Sequence, residues 1–374
     1  RTAADLDLNR DHLKATLPET RAIQAAMAKL TPDVVIDAHE YGGTGFWLQQ
    51  FGALAPWDGT YIEATHPAVP RPLKDLTREL FLPRIESALA DQGLTGGVYL
   101  TGGGATGTLS TGGVAPGIGR NYYGMTGAVS FLLETRESGG VRGQVDFSTF
   151  QRRVATHYVF VRAALQAAAE DGRRVRRATA EARRRLAEDG SDLIIDMDLA
   201  EGPAELVLMD PVTGGPKPVS VTLRDSRRTT PTRTRARPRG YVVDGSAAEV
   251  LAAFRAKGVL LCPLRPGVAV PVEAFKVTFT RAPDRRARES VNPEETVTVA
   301  LEPSTVSPGA GSYYVPSRQT AGLVVAAALE PDAAGSYVST GVEPVNDQGS
   351  PRFWRAAAEA PPLAAGAPRA CRGR

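Results

Sequence analysis

Apolar positions along the first half of the chain alternate between helical spacing and short continuous runs. Helical spacing covers residues 16–30, 73–89 and 149–171, whereas β-branched or apolar runs cover residues 34–36 and 128–137. A continuous apolar run of this kind is typical of a strand that is buried on both faces. Helices that alternate with such strands predict an α/β region with a mixed, mostly parallel sheet flanked by helices.

The pattern changes after Gly172. An Arg-rich helix leads to Asp192, and seven short β-like runs follow, including "AGLVVAAAL", interrupted by one helix over residues 247–257. The last segment is rich in Ala, Pro and Gly, which predicts disorder. We therefore expect an α/β region (1–171), a connecting helix (172–191), a β-rich α+β accessory region (192–347) and a disordered tail (348–374). The stretch over residues 96–121 is rich in glycine and predicts a long irregular loop.

Composition excludes some classes of function. The net charge of the 374 residues is only +3, and the Arg clusters are not interleaved with aromatic residues, which argues against a nucleic-acid partner. No apolar run approaches the roughly 20 residues of a membrane helix, so we expect no membrane partner. The two cysteines, Cys262 and Cys371, lie far apart and form neither a disulfide framework nor a zinc-finger spacing.

Two predicted strands carry chemical groups where their apolar runs stop. The first, in "DVVIDAHEYGG", ends on His39, and the second, in "FLLETRE", ends on Glu134. Since active sites of open α/β sheets lie at the carboxyl ends of strands, these two side chains could meet. Imidazole is a favoured zinc ligand, and a carboxylate can act as general base. Alternatively, His39 is a hydrogen-bonded structural histidine and Glu134 pairs with Arg136 or Arg120.

A third feature is the "DLNRD" segment near the start of the chain. Arg10 offers a planar fork of donors and Asn9 adds an amide, so that together they could bind a carboxylate. Alternatively, Arg10 forms a structural ion pair with Asp7 or Asp11.

The motifs "DLNRD", "DAHEYGG" and "FLLETRE", in this order, resemble those of the zinc metallocarboxypeptidases, the carboxypeptidase A-like family. The resemblance covers residues 5–169 and implies that residues 1–171 are the C-terminal part of a catalytic domain. The segment "AGLVVAAALEP" resembles part of the C-terminal extension of bacterial members.

The resemblance implies substrate-binding roles for four residues. Arg10, with Asn9, would hold the C-terminal carboxylate of a peptide, and Tyr41 would lie beside the substrate cleft. Arg120 falls in the loop that sets side-chain specificity in the family, where it would favour acidic residues. Alternatively, Arg120 is an ordinary surface arginine.

The resemblance also implies one Zn²⁺ ion, with His39 as a ligand and Glu134 as the general base. The family takes its two other ligands from a His-x-x-Glu motif that precedes the Asn-Arg pair. None of the other three histidines has Glu three residues on. We therefore expect those ligands upstream of Arg1, in a part of the parent protein outside this sequence.

The sequence thus predicts part of a zinc-dependent peptidase that removes C-terminal residues from peptides with a free C-terminus, inactive on its own. Members of the family are commonly exported, so the resemblance implies a secreted or periplasmic protein. Three alternatives stay open. They are a zinc deacylase or amidase of small N-acyl amino acids, a non-catalytic relative that binds C-terminal carboxylates, and a binding protein in which the β-rich half binds peptide or carbohydrate.

Overall fold

The computed structural model describes residues 6–137, 149–279, 297–357 and 361–371. A 3₁₀ turn, Leu8–Arg10, precedes the first helix. The helices are α1 Pro18–Leu30, α2 Gly45–Phe51, α3 Arg71–Leu76, α4 Leu82–Ala90, α5 Gly119–Met125, α6 Phe150–Glu170, α7 Gly172–Glu188, α8 Ala248–Ala256 and α9 Gly322–Leu329. A π-helical stretch, Thr77–Phe81, joins α3 to α4.

The described strands form three sheets. They are β1 Val34–Gly42, β2 Gly59–Glu63, β3 Gly96–Val98, β4 Thr101–Gly102, β5 Thr108–Ser110, β6 Val129–Glu137, β7 Leu193–Met209, β8 Pro216–Arg235, β9 Gly240–Val243, β10 Cys262–Pro263, β11 Val270–Phe279, β12 Val297–Val306, β13 Tyr313–Pro316 and β14 Phe353–Ala356.

The first sheet has the order β1-β6-β2-β3. The pairs β1–β6 and β2–β3 are parallel and the pair β2–β6 is antiparallel, which confirms the predicted mixed α/β sheet flanked by helices. Its core is aromatic, because the rings of Phe81 and Phe131 lie 5.3 Å apart. Phe160 of α6 packs directly on Gly59 of β2, where an added Cβ would lie 2.1 Å from the ring.

Strand β1 does not end on His39, as the apolar run predicted. It continues to Gly42, and β6 continues beyond Glu134 to Glu137, because the two strands remain paired to the end of the ladder. The polar residues are therefore part of the strands themselves. Both side chains are held by two rigid backbones, which fixes their separation more closely than a loop would.

Helix α6 has the predicted extent but turns its apolar stripe outward. Val154, Tyr158 and Leu165 are exposed, whereas Phe160 and the small side chains of Ala163, Ala164 and Ala167 are buried. The alanines allow the helix to approach the sheet closely, so α6 packs on the sheet through Phe160 and small residues. None of the described helices, α6 included, combines the length and the apolar character that crossing a bilayer requires.

The accessory region contains a six-stranded sheet of order β10-β13-β9-β14-β11-β12, in which every described pair is antiparallel. The predicted strand "AGLVVAAAL" is instead the helix α9. Nearly all its side chains are buried, so its sequence lacks the polar positions that distinguish a helix from a strand.

The tail predicted to be disordered belongs to the fold. Strand β14 lies between β9 and β11, and Cys371 forms a disulfide with Cys262 at a Cα–Cα distance of 5.7 Å. The predicted disorder is therefore wrong for Phe353–Ala356, which form β14, and the two cysteines, whose spacing indicated no disulfide framework, are bonded. Cysteines far apart in the chain meet here because the C-terminal segment returns to β10.

The glycine-rich stretch over residues 96–121 contains β3, β4, β5 and the beginning of α5, so the predicted irregular loop was also wrong. These strands are only two or three residues long. They pair with β2 and β8, which lie elsewhere in the chain. No local pattern reveals such strands, because their hydrogen-bonding partners are distant in sequence.

The two regions share one core and one sheet. The third sheet, β4-β5-β8-β7, joins strands of the α/β region to the long β7–β8 hairpin of the accessory region. The largest apolar cluster likewise combines Leu13 and Tyr122 with Phe254 and Tyr337. The accessory region is therefore continuous with the α/β region and is not a separate module.

Candidate functional site

His39 and Glu134 are direct neighbours across the parallel pair β1–β6. The register places their Cα atoms opposite one another, which brings together the two residues that the sequence singled out. Asp37, two residues earlier on β1, lies on the same side of the strand as His39 because side chains alternate with a period of two.

Asp37 holds the imidazole of His39, and the amide of Asn9 lies beside both side chains. Nε2 of His39 lies 2.5 Å from Oδ1 of Asp37 and 2.9 Å from Nδ2 of Asn9. Because an ionised carboxylate can only accept, Nε2–H of His39 donates to Oδ1 of Asp37. Nδ2 of Asn9 donates to the other oxygen of the same carboxylate, Oδ2, at 3.2 Å. No described residue bonds Nδ1, so its lone pair is available to a ligand. Glu40, the other acid beside His39, pairs with Arg153 instead.

The pKa values of this pair follow from their contact. Burial alone would lower the pKa of His39, but the hydrogen bond and charge of Asp37 outweigh it and raise the pKa above its ordinary value. Burial would raise the pKa of Asp37, but the hydrogen bond to His39 and the charges of His39, His12 and Arg120 together outweigh it and lower the pKa. Asp37 is therefore ionised, and it orients the imidazole as carboxylates commonly orient metal-binding histidines.

Glu134 has a different environment. It is 7% exposed, and within the described ranges it forms no hydrogen bond and no ion pair, so the alternative pairing with Arg136 or Arg120 is absent. Burial raises the pKa of Glu134 to about 7, although the charges of His39 and Arg120 oppose this rise. A carboxylate with a pKa near neutrality suits general acid–base catalysis.

Glu134 lines a cavity of about 550 Å³. One wall is formed by Trp47 and Tyr41, and the other by Tyr99 and its neighbours on the way to β4. A cavity of this size, lined by both aromatic rings and polar groups, has room for a small molecule or a peptide side chain.

Arg10 and Arg120 both lie near Glu134, since each charge lowers the pKa of that carboxyl. Arg10 donates from Nη1 to the carbonyl of Asn9 and forms no ion pair with Asp7 among the described contacts. Arg120 is buried, which excludes the surface alternative. Its Nη2 donates to the carbonyl of Gly113, and its Nε has no partner in the described part of the chain.

Tyr41 lies beside the cavity, but its hydroxyl is already used. Oη donates to the carbonyl of Trp57 at 2.5 Å, and burial raises the pKa of the phenol. Tyr41 can therefore offer a substrate its ring, whereas its hydroxyl serves the fold.

Gly119 and His12 complete the site, and the sequence analysis assigned a role to neither. The amide of Gly119 donates to Oδ1 of Asn9 at 2.6 Å. A Cβ at Gly119 would lie 2.9 Å from Oδ2 of Asp37 and 3.0 Å from Nε2 of His12, so only glycine fits. The signal in the sequence was a glycine directly before Arg120, which spacing alone did not distinguish from other loop glycines.

The donors at this site fit a zinc ion only in part. His39 and its orienting carboxylate are what a zinc ligand requires, but a zinc site needs three or four protein ligands. In residues 6–137, 149–279, 297–357 and 361–371, no three His, Cys, Asp or Glu side chains are grouped to hold a metal ion.

Sequence comparison extends the resemblance beyond the three motifs. The chain is 28% identical over 354 residues to carboxypeptidase 2 of Trichophyton equinum and 27% identical over 348 residues to carboxypeptidase 2 of Trichophyton rubrum. Each match covers 92% of this chain and 63% of the relative.

The chain is similar to carboxypeptidases. A probable carboxypeptidase 2 of Arthroderma benhamiae is 26% identical over 336 residues, covering 88% of this chain and 62% of that protein. The similarity therefore includes the accessory region, whereas the motifs covered only the α/β region. The chain spans less than two thirds of the length of these relatives. No family model and no solved structure matches it.

Proposed function

We propose that this chain is part of a zinc-dependent peptidase that removes C-terminal residues from peptides. The observation that carries the proposal is the pairing of His39 with Glu134 on adjacent strands, with Arg10 beside them, in a chain similar to carboxypeptidases. His39 would be one zinc ligand. The two others would come from a part of the parent protein outside residues 1–374, which is consistent with the greater length of the relatives.

Arg10 is the group proposed to bind the C-terminal carboxylate of the substrate. Its Nη1 is occupied by the carbonyl of Asn9, which leaves the rest of the guanidinium fork for a carboxylate. Asn9 itself uses Oδ1 for Gly119 and Nδ2 for Asp37. We therefore assign Asn9 a positioning role that fixes both Arg10 and His39 toward the substrate.

Glu134 is the proposed general base. It would accept a proton from the attacking water and later donate it to the leaving amine, which a carboxyl of pKa about 7 can do in both directions. A bound zinc ion would supply Lewis-acid activation of the water and of the scissile carbonyl. The charges of Arg10 and Arg120 favour the ionised form of Glu134 before the reaction.

Arg120 is the proposed determinant of side-chain preference. It is 3% exposed, and its Nε lacks a described partner, so a substrate carboxylate would satisfy a buried donor. The proposed substrates are therefore peptides with a free C-terminus and an acidic terminal residue.

The disulfide supports export of the protein. Cys262 and Cys371 are bonded, and disulfides persist mainly in oxidising compartments. We propose a secreted or periplasmic location on this ground and on the family resemblance.

The proposal is tested first by reading the coding DNA upstream of Arg1 for an in-frame His-x-x-Glu motif. The protein purified from the longer reading frame should then release C-terminal residues from peptides with a free carboxylate and spare amidated ones. Glu134→Gln should lower kcat by at least a hundredfold. Glu137→Gln, on the same strand, is the matched control and should leave kcat unchanged.

The alternatives give different results in the same assay. Release of acyl groups from N-acyl amino acids without peptide cleavage would identify a deacylase. Tight binding of free-carboxylate peptides with no turnover would identify a non-catalytic relative. A retained kcat in Glu134→Gln would exclude Glu134 as the base.

A further inference from the structure

The segment over residues 8–17 carries Asn9 and Arg10 into the site in an unfavourable backbone conformation. Ala15 is fully buried and has φ of 51°, a left-handed conformation that costs a residue with a Cβ about 1 kcal/mol or more. Asp11 organises the turn, because its carboxylate accepts from Thr16 N at 3.1 Å and from Leu17 N at 3.0 Å. Such a turn persists only where its surroundings hold it.

The accessory region supplies part of that support. Oη of Tyr337 donates to the carbonyl of Leu13 at 3.1 Å, and both residues are fully buried. This hydrogen bond joins the start of the chain to a segment more than 300 residues later. It lies three residues from Arg10, on the stretch that includes the strained Ala15.

Tyr337 is itself fixed by its neighbours. Nζ of Lys257 donates to Oη of Tyr337 at 3.0 Å, and the Phe254 ring packs against the tyrosine ring at 5.9 Å. A second link runs along the surface, where Arg21 donates to the carbonyl of Ala15 and pairs with Glu249 of α8. Four accessory residues thus converge on one turn.

We infer that Tyr337 is a positioning residue, which holds the turn over residues 8–17 and thereby keeps Asn9 beside Asp37 and His39, with Arg10 fixed next to it. The accessory region would therefore determine how tightly the site binds a carboxylate, although it contributes no group to the chemistry. The structural part stands on the contacts alone, and only the effect on substrate binding rests on the proposed function.

The test is Tyr337→Phe, which removes one hydroxyl and keeps the ring. Amide hydrogen exchange of residues 8–17 should become about five- to tenfold faster, as expected for the loss of one buried hydrogen bond. The matched control is Tyr314→Phe, which also removes a tyrosine bond to a carbonyl, that of Arg239, within the accessory region. It should leave exchange of residues 8–17 unchanged.

A second readout uses the longer protein. Tyr337→Phe should raise KM for free-carboxylate peptides several-fold and change kcat by less than twofold, because the base is untouched. If Tyr337→Phe does not fold, Lys257→Met removes the donor to the phenol and should speed exchange of the same residues.

Unchanged exchange of residues 8–17 in the variant that folds would overturn the inference. Equal acceleration in Tyr314→Phe would also overturn it, since the effect would then be general destabilisation. Absence of peptidase activity in the unaltered longer protein would count against the proposed function alone, because the exchange measurement does not depend on turnover.

Discussion

His39 and Glu134 lie side by side on parallel strands, yet their surroundings act on their charges in opposite ways. His39 is held toward its protonated form by Asp37, whereas Glu134 is bonded to no cation among the described residues and is driven toward its neutral form by burial. Both pKa values are therefore raised, so both side chains hold a proton more readily near neutral pH than the free residues would. The pairing is built into the ladder of β1 and β6 and does not depend on a loop.

Glu134 should destabilise the fold at neutral pH. Its pKa is about 7 in the folded chain and about 4.3 in an unfolded one. The folded state therefore binds more protons between these values, and the contribution of Glu134 to stability falls as the pH rises through this window. Glu134→Gln should raise the free energy of unfolding by about 1–3 kcal/mol at pH 8, where the wild-type carboxyl is ionised.

Urea unfolding of both proteins at pH 5 and pH 8 measures this effect. The difference in free energy of unfolding between Glu134→Gln and the wild type should be smaller at pH 5 than at pH 8, because the folded wild-type carboxyl is protonated at pH 5. A difference that is the same at both pH values would contradict the assigned pKa.

Arg10→Ala in the longer protein should raise KM for free-carboxylate peptides by about 10- to 100-fold, which corresponds to the loss of a charge-assisted contact of about 1.5–3 kcal/mol. Amidated peptides lack the carboxylate, so their binding should change little. Arg10→Lys keeps the positive charge but loses the planar fork of donors. Its KM for free-carboxylate peptides should therefore lie between the values of the unaltered protein and of Arg10→Ala. Equal effects on both substrate types would exclude the carboxylate role.

Gly119→Ala should destabilise the chain by about 1–3 kcal/mol, because the new Cβ would overlap Asp37 and His12. Gly45→Ala is the matched control. Both glycines begin a seven-residue helix, but Gly45 has no atom within 4 Å of an added Cβ. Gly45→Ala should therefore leave stability unchanged or slightly raise it, and thermal unfolding of the two variants distinguishes the cases.

Reduction of the Cys262–Cys371 bond should lower the free energy of unfolding by about 2–5 kcal/mol, since it frees a loop spanning a sequence separation of 109. Urea unfolding with and without dithiothreitol measures the loss. The Cys262→Ala/Cys371→Ala variant lacks the bond and should show no response to the reductant.

Helix α6 offers a direct test of which face is buried. Phe160→Ala should cost about 3–5 kcal/mol, because the ring fills the space over Gly59. Tyr158→Ala changes a side chain that is 64% exposed and should cost less than about 0.5 kcal/mol. If both variants lose a comparable free energy of unfolding, the face of α6 that carries Tyr158 is buried as well.

The sequence was sufficient to predict two of the four strands of the first sheet, β1 and β6, and the meeting of His39 with Glu134. The strands could be predicted because each is a short apolar run that ends in polar groups. The meeting of the two side chains could be predicted because parallel strands have their carboxyl ends at the same edge of a sheet. Arg120 was left between a surface and a site position, because a lone arginine does not reveal its burial.

Other features could not be predicted because they depend on distant parts of the chain. The short strand β5 pairs with the distant β8 as well as with its neighbour β4, and β14 pairs with the distant strands β9 and β11. The exposure of Val154, Tyr158 and Leu165 on α6 could not be predicted either, because periodicity identifies an amphipathic helix but not which of its faces packs on the sheet. The steric requirement at Gly119 arises from side chains on two separate segments, strand β1 and residues 8–17.

The sheet shared by the two regions has a consequence for biosynthesis. Strand β5 finds its parallel partner only in β8, which the ribosome completes more than 100 residues later. The β4–β5 wall that adjoins the cavity therefore cannot reach its final pairing while the first half of the chain alone has emerged. If the chain folds from the N-terminus onward, β5 lacks its partner β8 until the β7–β8 hairpin has been synthesised. During that time the unpaired edge of β5 is accessible to chaperones and proteases.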